Sequence, residues 1–332
     1  MPHRQPAAGQ RARRPGKTLM KKELISLLIC PACLPAEVQL QETVQEIAQG
    51  DIEIGELRCP QCRRVYPIDG GVADLDPNGA LGGKRPANKY ESAPVLSSYL
   101  WSHYADLFHD ENASDAYRRW ASLMEPHPGL AVDAGAAVGR FTFGMGRNCD
   151  LAVGVDNSRA FIRAARELMK RRAMIVPLKQ EGNIFTETRL ALPPEWDSGR
   201  VEFIVADALA LPFRAGAAAS LSSLNLIDKV PGPLRHLEEM NRVTRQAGAQ
   251  FLLSDPFSWS EEAAAEAEWL GGRTNGPFAG RGLDNIIALL AGDPARLPPR
   301  WEIRARGEVW WKIRTHANHF EQIRSCYVKA SR

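Results

Sequence analysis

The 332-residue sequence contains no run of 18 or more consecutive apolar residues, whereas a membrane-spanning helix needs roughly 20. Near the N-terminus, no apolar stretch separates the basic residues from a small-residue cleavage site, so no secretory leader is expected. Membrane insertion and export are both disfavoured, and the cytoplasm is the expected location. Cysteine is scarce: six residues are too few for a disulfide scaffold in a chain of this length. No internal repeat is visible. Acid is missing from residues 1–22, which carry Arg4, Arg11, Arg13, Arg14, Lys17, Lys21 and Lys22. The net charge of +3 therefore resides in this arm, and the rest of the chain is slightly acidic. An extensive nucleic-acid footprint over the body is disfavoured. The arm has no periodic apolar face and is expected to be disordered. It reads as a solubilising tail, a contact for RNA phosphates, or a segment like an organellar transit sequence.

What is present divides into two folded units, and 44% hydrophobic residues suffice for real cores. Residues 23–75 form the first unit, residues 76–89 are rich in Pro, Gly, Asn and Lys and read as a linker, and residues 90–332 form the second. In the second unit, β-type runs at 130–133, 151–156, 201–206, 221–227 and 250–254 alternate with helical patterns. That alternation implies βαβ units and a parallel sheet, an α/β fold. One helix is expected to start at Asn157 or Ser158 with Phe161, Ala165 and Leu168 inward. Another follows Pro231-Gly-Pro233, with Leu234, Leu237 and Val243 inward, and ends near Gly248. Residues 174–200 read as long and irregular.

Four of the six cysteines fall into two pairs, Cys30-Pro-Ala-Cys33 and Cys59-Pro-Gln-Cys62, separated by 25 residues. Two-residue spacing lets one tight turn aim both thiolates at a single ion, and four thiolates complete a tetrahedral zinc shell. With no open position, such a zinc is structural and holds together a unit too small for a large core. Cys149 and Cys326 lack this pattern and read as ordinary cysteines. The segments Leu-Leu-Ile-Cys-Pro-Ala-Cys33 and Leu-Arg-Cys-Pro-Gln-Cys-Arg-Arg-Val-Tyr-Pro-Ile-Asp-Gly-Gly71 resemble the small zinc-ribbon family that activates tRNA and protein methyltransferases as a separate subunit. That resemblance implies a module that contacts or stabilises a methyltransferase, here fused to one. The pairing of ribbon and enzyme is also similar, in architecture only, to bacterial rRNA guanine methyltransferases.

The segment Leu130-Ala-Val-Asp-Ala-Gly-Ala-Ala-Val-Gly-Arg140 reads as a strand ending in Asp133, a small-residue loop and a helix start. Gly135 and Gly139 let backbone approach a ligand closely at the carboxyl end of the first strand. Asp156 follows Asp133 by 23 residues at the end of the second strand, where a carboxylate can accept from both ribose hydroxyls. A third strand ends in Asp207-Ala208, followed by Leu-Ala-Leu-Pro-Phe213. The loop resembles the first motif of class I S-adenosylmethionine (SAM) methyltransferases, with Ala137 in place of the middle glycine. Nicotinamide dinucleotide use stays open on the glycines alone, but the segment Asp207-x-x-x-Leu-Pro-Phe213 resembles the SAM pattern. The resemblance implies a Rossmann-like class I methyltransferase sheet and cofactor contacts at Asp133, Gly135, Ala137, Gly139, Asp156, Asp207 and Ala208. Two departures stand out: no acid opens the fourth strand at 216–220, and Gly248-Ala249 replaces the usual Gly-Gly.

Methyl transfer is an in-line displacement that needs alignment and water exclusion more than a triad. Candidate catalytic residues follow strands four and five, Asn225, Asp228 and Asp255, joined by His316 from the tail. Asp228 and Asp255 read equally well as turn caps. His316 and His319 could share a helix face toward the cleft, and Trp310 and Trp311 read as core or as a stacking wall. Tyr99, His103 and Tyr104 are expected on a helix that closes over the cofactor. The segments at 254–272 and 311–320 are similar to those of ovothiol-type mercaptohistidine N-methyltransferases, which implies a small polar acceptor such as an imidazole, amine or thiol. The leading expectation is a SAM-dependent methyltransferase with structural zinc and a small-molecule or peptide acceptor. A tRNA or rRNA acceptor and a non-catalytic scaffold binding a protein partner through the ribbon are the alternatives. Nothing in the sequence fixes the oligomeric state.

Overall fold

The computed structural model describes residues 20–48, 51–78, 88–292 and 296–332. Residues 1–19 of the basic arm and 79–87 of the expected linker lie outside the described residues. The first unit comprises a helical turn α1 (Lys22–Ile25) and four antiparallel strands in sequential order: β1 (Gln41–Ala48), β2 (Asp51–Arg58), β3 (Val65–Asp69) and β4 (Val72–Ala73). The second unit begins with two helices, α2 (Ala93–Tyr104) and α3 (Ala116–Leu123). There follow β5 (Leu130–Ala134), α4 (Arg140–Met145), β6 (Leu151–Asp156), α5 (Arg159–Arg171), β7 (Ala173–Glu181), β8 (Ile184–Ala191) and β9 (Val201–Val205). The chain continues through β10 (Ala218–Leu224), α6 (Pro233–Val243), β11 (Gln250–Asp255), α7 (Gly282–Gly292), β12 (Glu302–His316) and β13 (His319–Ser331).

Seven strands form one sheet in the order β12-β13-β11-β10-β5-β6-β9. The five inner and ribbon-side strands are parallel, and β13 and β12 add antiparallel. β5, β9, β10 and β11 are buried throughout, as expected of strands covered on both faces. Strand order reverses between β5 and β10, so their carboxyl ends diverge into the crevice where such sheets bind ligands. Helix α5 starts where its sequence says: Ser158 accepts from the Phe161 N–H at 3.2 Å, and Phe161, Ala165 and Leu168 are buried.

Several expectations need correction. Residues 174–200 are not irregular: β7 and β8 form an antiparallel hairpin, in which β7 buries Val176 and Leu178 alternately while β8 is mostly exposed and shows no such pattern. Helix α6 ends at Val243 with Thr244 as its cap, while Gly248 (φ +62°) turns the chain into β11. Lys21 does not belong to the arm: it is buried, its N–H donates to Glu202 at 3.1 Å, and its Nζ donates to the carbonyls of Ser198, Gly199 and Val201. His316 and His319 do not lie on a helix: they face each other at the tip of the β12–β13 hairpin, ring centroids 5.7 Å apart.

The ribbon is packed onto the edge of the main sheet. Leu75 N–H donates to the Val205 carbonyl at 2.7 Å and Ile29 N–H to that of Pro212 at 3.0 Å, so backbone from the first unit continues the sheet beyond β9. Met20, Leu24 and Leu28 share one apolar core with Ile204, Leu211 and Phe213. Beneath this seam Glu202, fully buried, takes the Arg166 guanidinium and the Lys21 N–H. Among the described residues, no helix is long and apolar enough to cross a membrane. Replacing Glu202 by Ala leaves the Arg166 charge buried without its carboxylate, so chemical denaturation should show a loss of about 3–5 kcal/mol.

Candidate active site and metal centre

The four cysteine thiols come together as the spacing predicts. All four Sγ atoms lie within 4.8 Å of one another, with Cys30–Cys62 at 3.6 Å and Cys33–Cys59 at 3.7 Å. A tetrahedron with metal–sulfur bonds near 2.3 Å has sulfur–sulfur edges of about 3.8 Å, close to both of these pairs, so the four thiols are placed to close on one zinc. The Tyr66 hydroxyl lies 3.2 Å from Cys30 Sγ and would donate to the thiolate once metal is bound. The all-sulfur shell leaves no place for water, and the metal there supplies structure.

The second site sits at the carboxyl ends of β5, β6, β9 and β10, where a cavity of about 600 Å³ opens. The loop after β5 passes through three left-handed residues, Gly135 (φ +79°), Ala137 (φ +46°) and Gly139 (φ +87°). A Cβ on Gly139 would fall 2.6 Å from the Phe203 ring, so this glycine lets α4 press onto β9. The Gly135 and Ala136 N–H groups donate to the Val155 carbonyl, folding the loop over β6. Ala137 bears the left-handed strain that the expected glycine would avoid, and its N–H donates to Asp156 Oδ2 at 2.9 Å.

Asp133 accepts from Thr142 Oγ1 at 2.7 Å and Ser222 Oγ at 2.9 Å, tying α4 and β10 to β5. Asp156 accepts from the Ser158 N–H at 2.9 Å besides Ala137. Burial pushes both carboxyls up to about 6, against the hydrogen bonds they accept. Asp207 accepts from the Leu209 N–H at 2.8 Å and is also raised by burial. The structure thus brings Asp133, Gly135, Ala137, Asp156, Asp207 and Ala208 to one cavity wall, while Gly139 packs behind it.

Sequence reasoning missed the support beneath Ala208. Its carbonyl accepts from His236 Nδ1 at 3.1 Å, so His236 Nε2 must accept from Ser223 Oγ at 3.0 Å. Burial lowers this imidazole to about 4, which keeps it neutral. A wall of Tyr90, Tyr99 and Phe161 was also missed in part; Tyr99 and Phe161 ring centroids are 4.7 Å apart. Tyr99 and His103 of α2 line the cavity as expected, whereas Tyr104 is buried behind it and donates to the Val138 carbonyl at 2.7 Å.

Of the candidates after strands four and five, Asn225 lines the cavity; Asp228 and Asp255 do not. Asn225 has φ +55°, its N–H held by the Ser254 carbonyl at 2.6 Å. Trp311 Nε1 donates to Ser325 Oγ at 2.9 Å, so the serine turns its own hydrogen to Asn225 Oδ1 at 2.5 Å. This relay fixes the carboxamide with Nδ2 as the end available to a ligand. Asp228 and Asp255 lie buried behind the Pro256–Ser258 turn, where Asp228 accepts from Ser258 N–H and Asp255 from Phe257 N–H, each at 2.7 Å. Burial and the neighbouring Asp228 hold the Asp255 carboxyl well above the usual carboxylate range. His316 lies at the hairpin tip outside the cavity lining, and Trp310 is exposed while Trp311 lines the wall.

Residues 132–252 match the family model described as a methyltransferase domain, and residues 21–71 the one described as Trm112p-like protein. No curated protein gives a match. Among solved structures, a chain from the complex between the Haloferax volcanii Trm112 methyltransferase activator and the putative methyltransferase is 12% identical, covering 75% of this chain and 100% of its own, with TM-score 0.43. A putative methyltransferase from Bacillus halodurans is 11% identical over 64% of this chain and 97% of its own, at 0.40. A SAM-dependent methyltransferase from Methanosarcina mazei is 16% identical over 63% and 94%, at 0.40. Fold, cleft and family match together define an α/β methyltransferase domain. The chain joins this enzyme domain to a Trm112p-like four-cysteine unit, and its cofactors are SAM and structural zinc. Metal analysis of the purified protein should give one zinc per chain, and Cys59→Ser should lose that zinc and lower the melting temperature.

Proposed function

We propose that the chain transfers the methyl group of SAM to a nucleophilic nitrogen, sulfur or oxygen of a small molecule or peptide side group seated between α2 and the β12–β13 hairpin. The donor supplies an electrophilic methyl; the protein aligns the acceptor and excludes water. Asp156, Asp207 and the Gly135–Gly139 loop are the groups that would hold the adenosyl part, with Ala208 backbone at the ring and Asp133 bracing the loop. The observation that carries this reading is the aromatic lining of the cavity: Tyr99, Tyr117 and Trp311 share it with the fixed Asn225 carboxamide. A volume near 600 Å³ belongs to the range of about 300–1,000 Å³ typical of small-ligand sites. The similarity of 254–272 and 311–320 to ovothiol-type enzymes favours an imidazole, amine or thiol acceptor.

Asn225 is the acceptor-positioning residue in this reading. Asp228 and Asp255 act at one remove, by holding the Pro256–Ser258 turn, and His316 has no part in the transfer. The units at 20–75 and 88–332 work as one enzyme in the cytoplasm. The Trm112p-like match supports a second reading, an RNA acceptor presented with help from the ribbon. Incubation with methyl-labelled SAM and fractionated cell extract separates the two: label should enter the metabolite or peptide fraction and resist RNase, whereas RNase-sensitive label would establish the RNA reading. Asn225→Ala should lower the rate of transfer about 10²-fold while leaving cofactor affinity intact.

A pH dependence follows from the buried acids. Asp156 binds ribose hydroxyls best as a carboxylate, and its raised pKa of about 6 means that this form is lost as pH falls through about 6. S-adenosylhomocysteine affinity, measured by calorimetry, should therefore weaken below about pH 6. Asp156→Asn should bind more weakly at pH 7.5 and show a shallower decline toward acid.

A further inference from the structure

On the opposite face of the β12–β13 hairpin lies a second cavity of about 630 Å³, which methyl transfer does not use. The alternation of β12 sends Trp311 and Ile313 toward the cofactor cavity and Arg306 and Glu308 toward this one. Pairing of Trp310 with Arg324 and of Glu308 with Cys326 brings β13 side chains to the same side. The facing wall is the start of α7 with Arg281 and the turn that carries Phe257 and Trp259.

Three exposed arginines, Arg281, Arg306 and Arg324, thus line one space. Arg324 has a loose partner in Glu308 at 3.5 Å, both side chains about half exposed. Among the described residues, Arg281 and Arg306 have no side-chain hydrogen bond and no ion pair. The convergence is visible at Cys326: burial and Glu308 push its thiol up, while Arg324 and Arg281 both pull the other way. The remaining acid of the lining is Asp284, exposed in the first turn of α7. Positive charge therefore exceeds negative in the cavity, an arrangement that a bound anion would relieve.

The rest of the wall suits a particular anion. A guanidinium fork matches phosphate oxygens in two-pronged fashion. The eleven-residue α7 begins at Gly282, and its first-turn N–H groups add donors of the right polarity. A Cβ at Gly282 would lie 2.7 Å from Phe257, so the bare backbone at the helix start rests on that ring. Phe257 and Trp259, centroids 6.0 Å apart and tilted 39° to each other, give two aromatic rings on one wall, and Trp259 Nε1 is buried with no partner. We propose that this cavity binds an organic phosphate, a phosphate monoester borne on a planar ring. The site stands independently of the methyl acceptor, because the Pro256 turn separates the two cavities.

Phenyl phosphate is a direct probe, titrated by calorimetry into the full chain with saturating S-adenosylhomocysteine filling the adenosyl cleft. Saturable binding is expected at low salt, weakening as salt rises, with phenol giving none. Arg281→Ala and Arg306→Ala should each weaken it about tenfold, the loss expected of one charge-assisted hydrogen bond, with S-adenosylhomocysteine affinity unchanged as the control for folding. Failure to saturate at millimolar concentrations, or equal affinity in wild type and both variants, overturns the assignment. Benzoate binding as tightly as phenyl phosphate would overturn the choice of phosphate.

Discussion

A carboxylate that water does not reach holds the two units in register. Glu202 of β9 meets the Arg166 guanidinium of α5, its neighbour's Phe203 N–H at 2.8 Å and the Lys21 N–H at the entrance to the ribbon. Left unpaired, such a charge would cost several kcal/mol, so edge strand, helix and ribbon are constrained to assemble together. The consequence reaches the cleft, since the chain leaving β9 comes to Asp207 five residues after Glu202. Position of the ribbon and position of an acid that lines the cleft are set by the same contact.

Within the cleft, geometry is maintained by backbone more than by opposing charges. Asp156 is satisfied by two N–H groups and Asp133 by two hydroxyls, so neither needs a basic partner. Deep burial then keeps both carboxyls easy to protonate. The cleft thus presents backbone dipoles and pre-aligned acids rather than ion pairs. Across the cavity the same economy recurs: one indole N–H, one hydroxyl and one carboxamide oxygen form a chain that leaves the Asn225 amino group uncommitted.

The features legible in the sequence were those set by local chemistry. Paired cysteines, a serine cap at 158, and Asp133, Asp156 and Asp207 at the ends of apolar runs each announce themselves within a few residues. Features that depend on distant partners were not legible. Lys21 looked like one more charge in a basic arm because its carbonyl partners lie about 180 residues away in sequence. Strand β8 lacks apolar alternation because most of it faces solvent, and in β7 the alternation is confined to Val176 and Leu178. His316 and His319 are three apart, a helical spacing, yet a turn of two residues makes them cross-strand neighbours. His236, whose role is to fix a backbone carbonyl, carried no signal beyond being a histidine on an amphipathic helix.

The two margins of the main sheet are finished differently. On the β9 side the ribbon's backbone consumes exposed donors and acceptors. On the other side, β12 runs for fifteen residues as the last strand, with register shifts near Ile303 and Arg314 and with Glu302, Arg304, Arg306 and Glu308 alternating along its outer half. Irregular pairing and a row of outward charges discourage a neighbouring molecule's strand from adding there. Crowded copies of this enzyme are therefore kept from zipping into fibrils by side-chain charge at one margin and by an accessory module at the other.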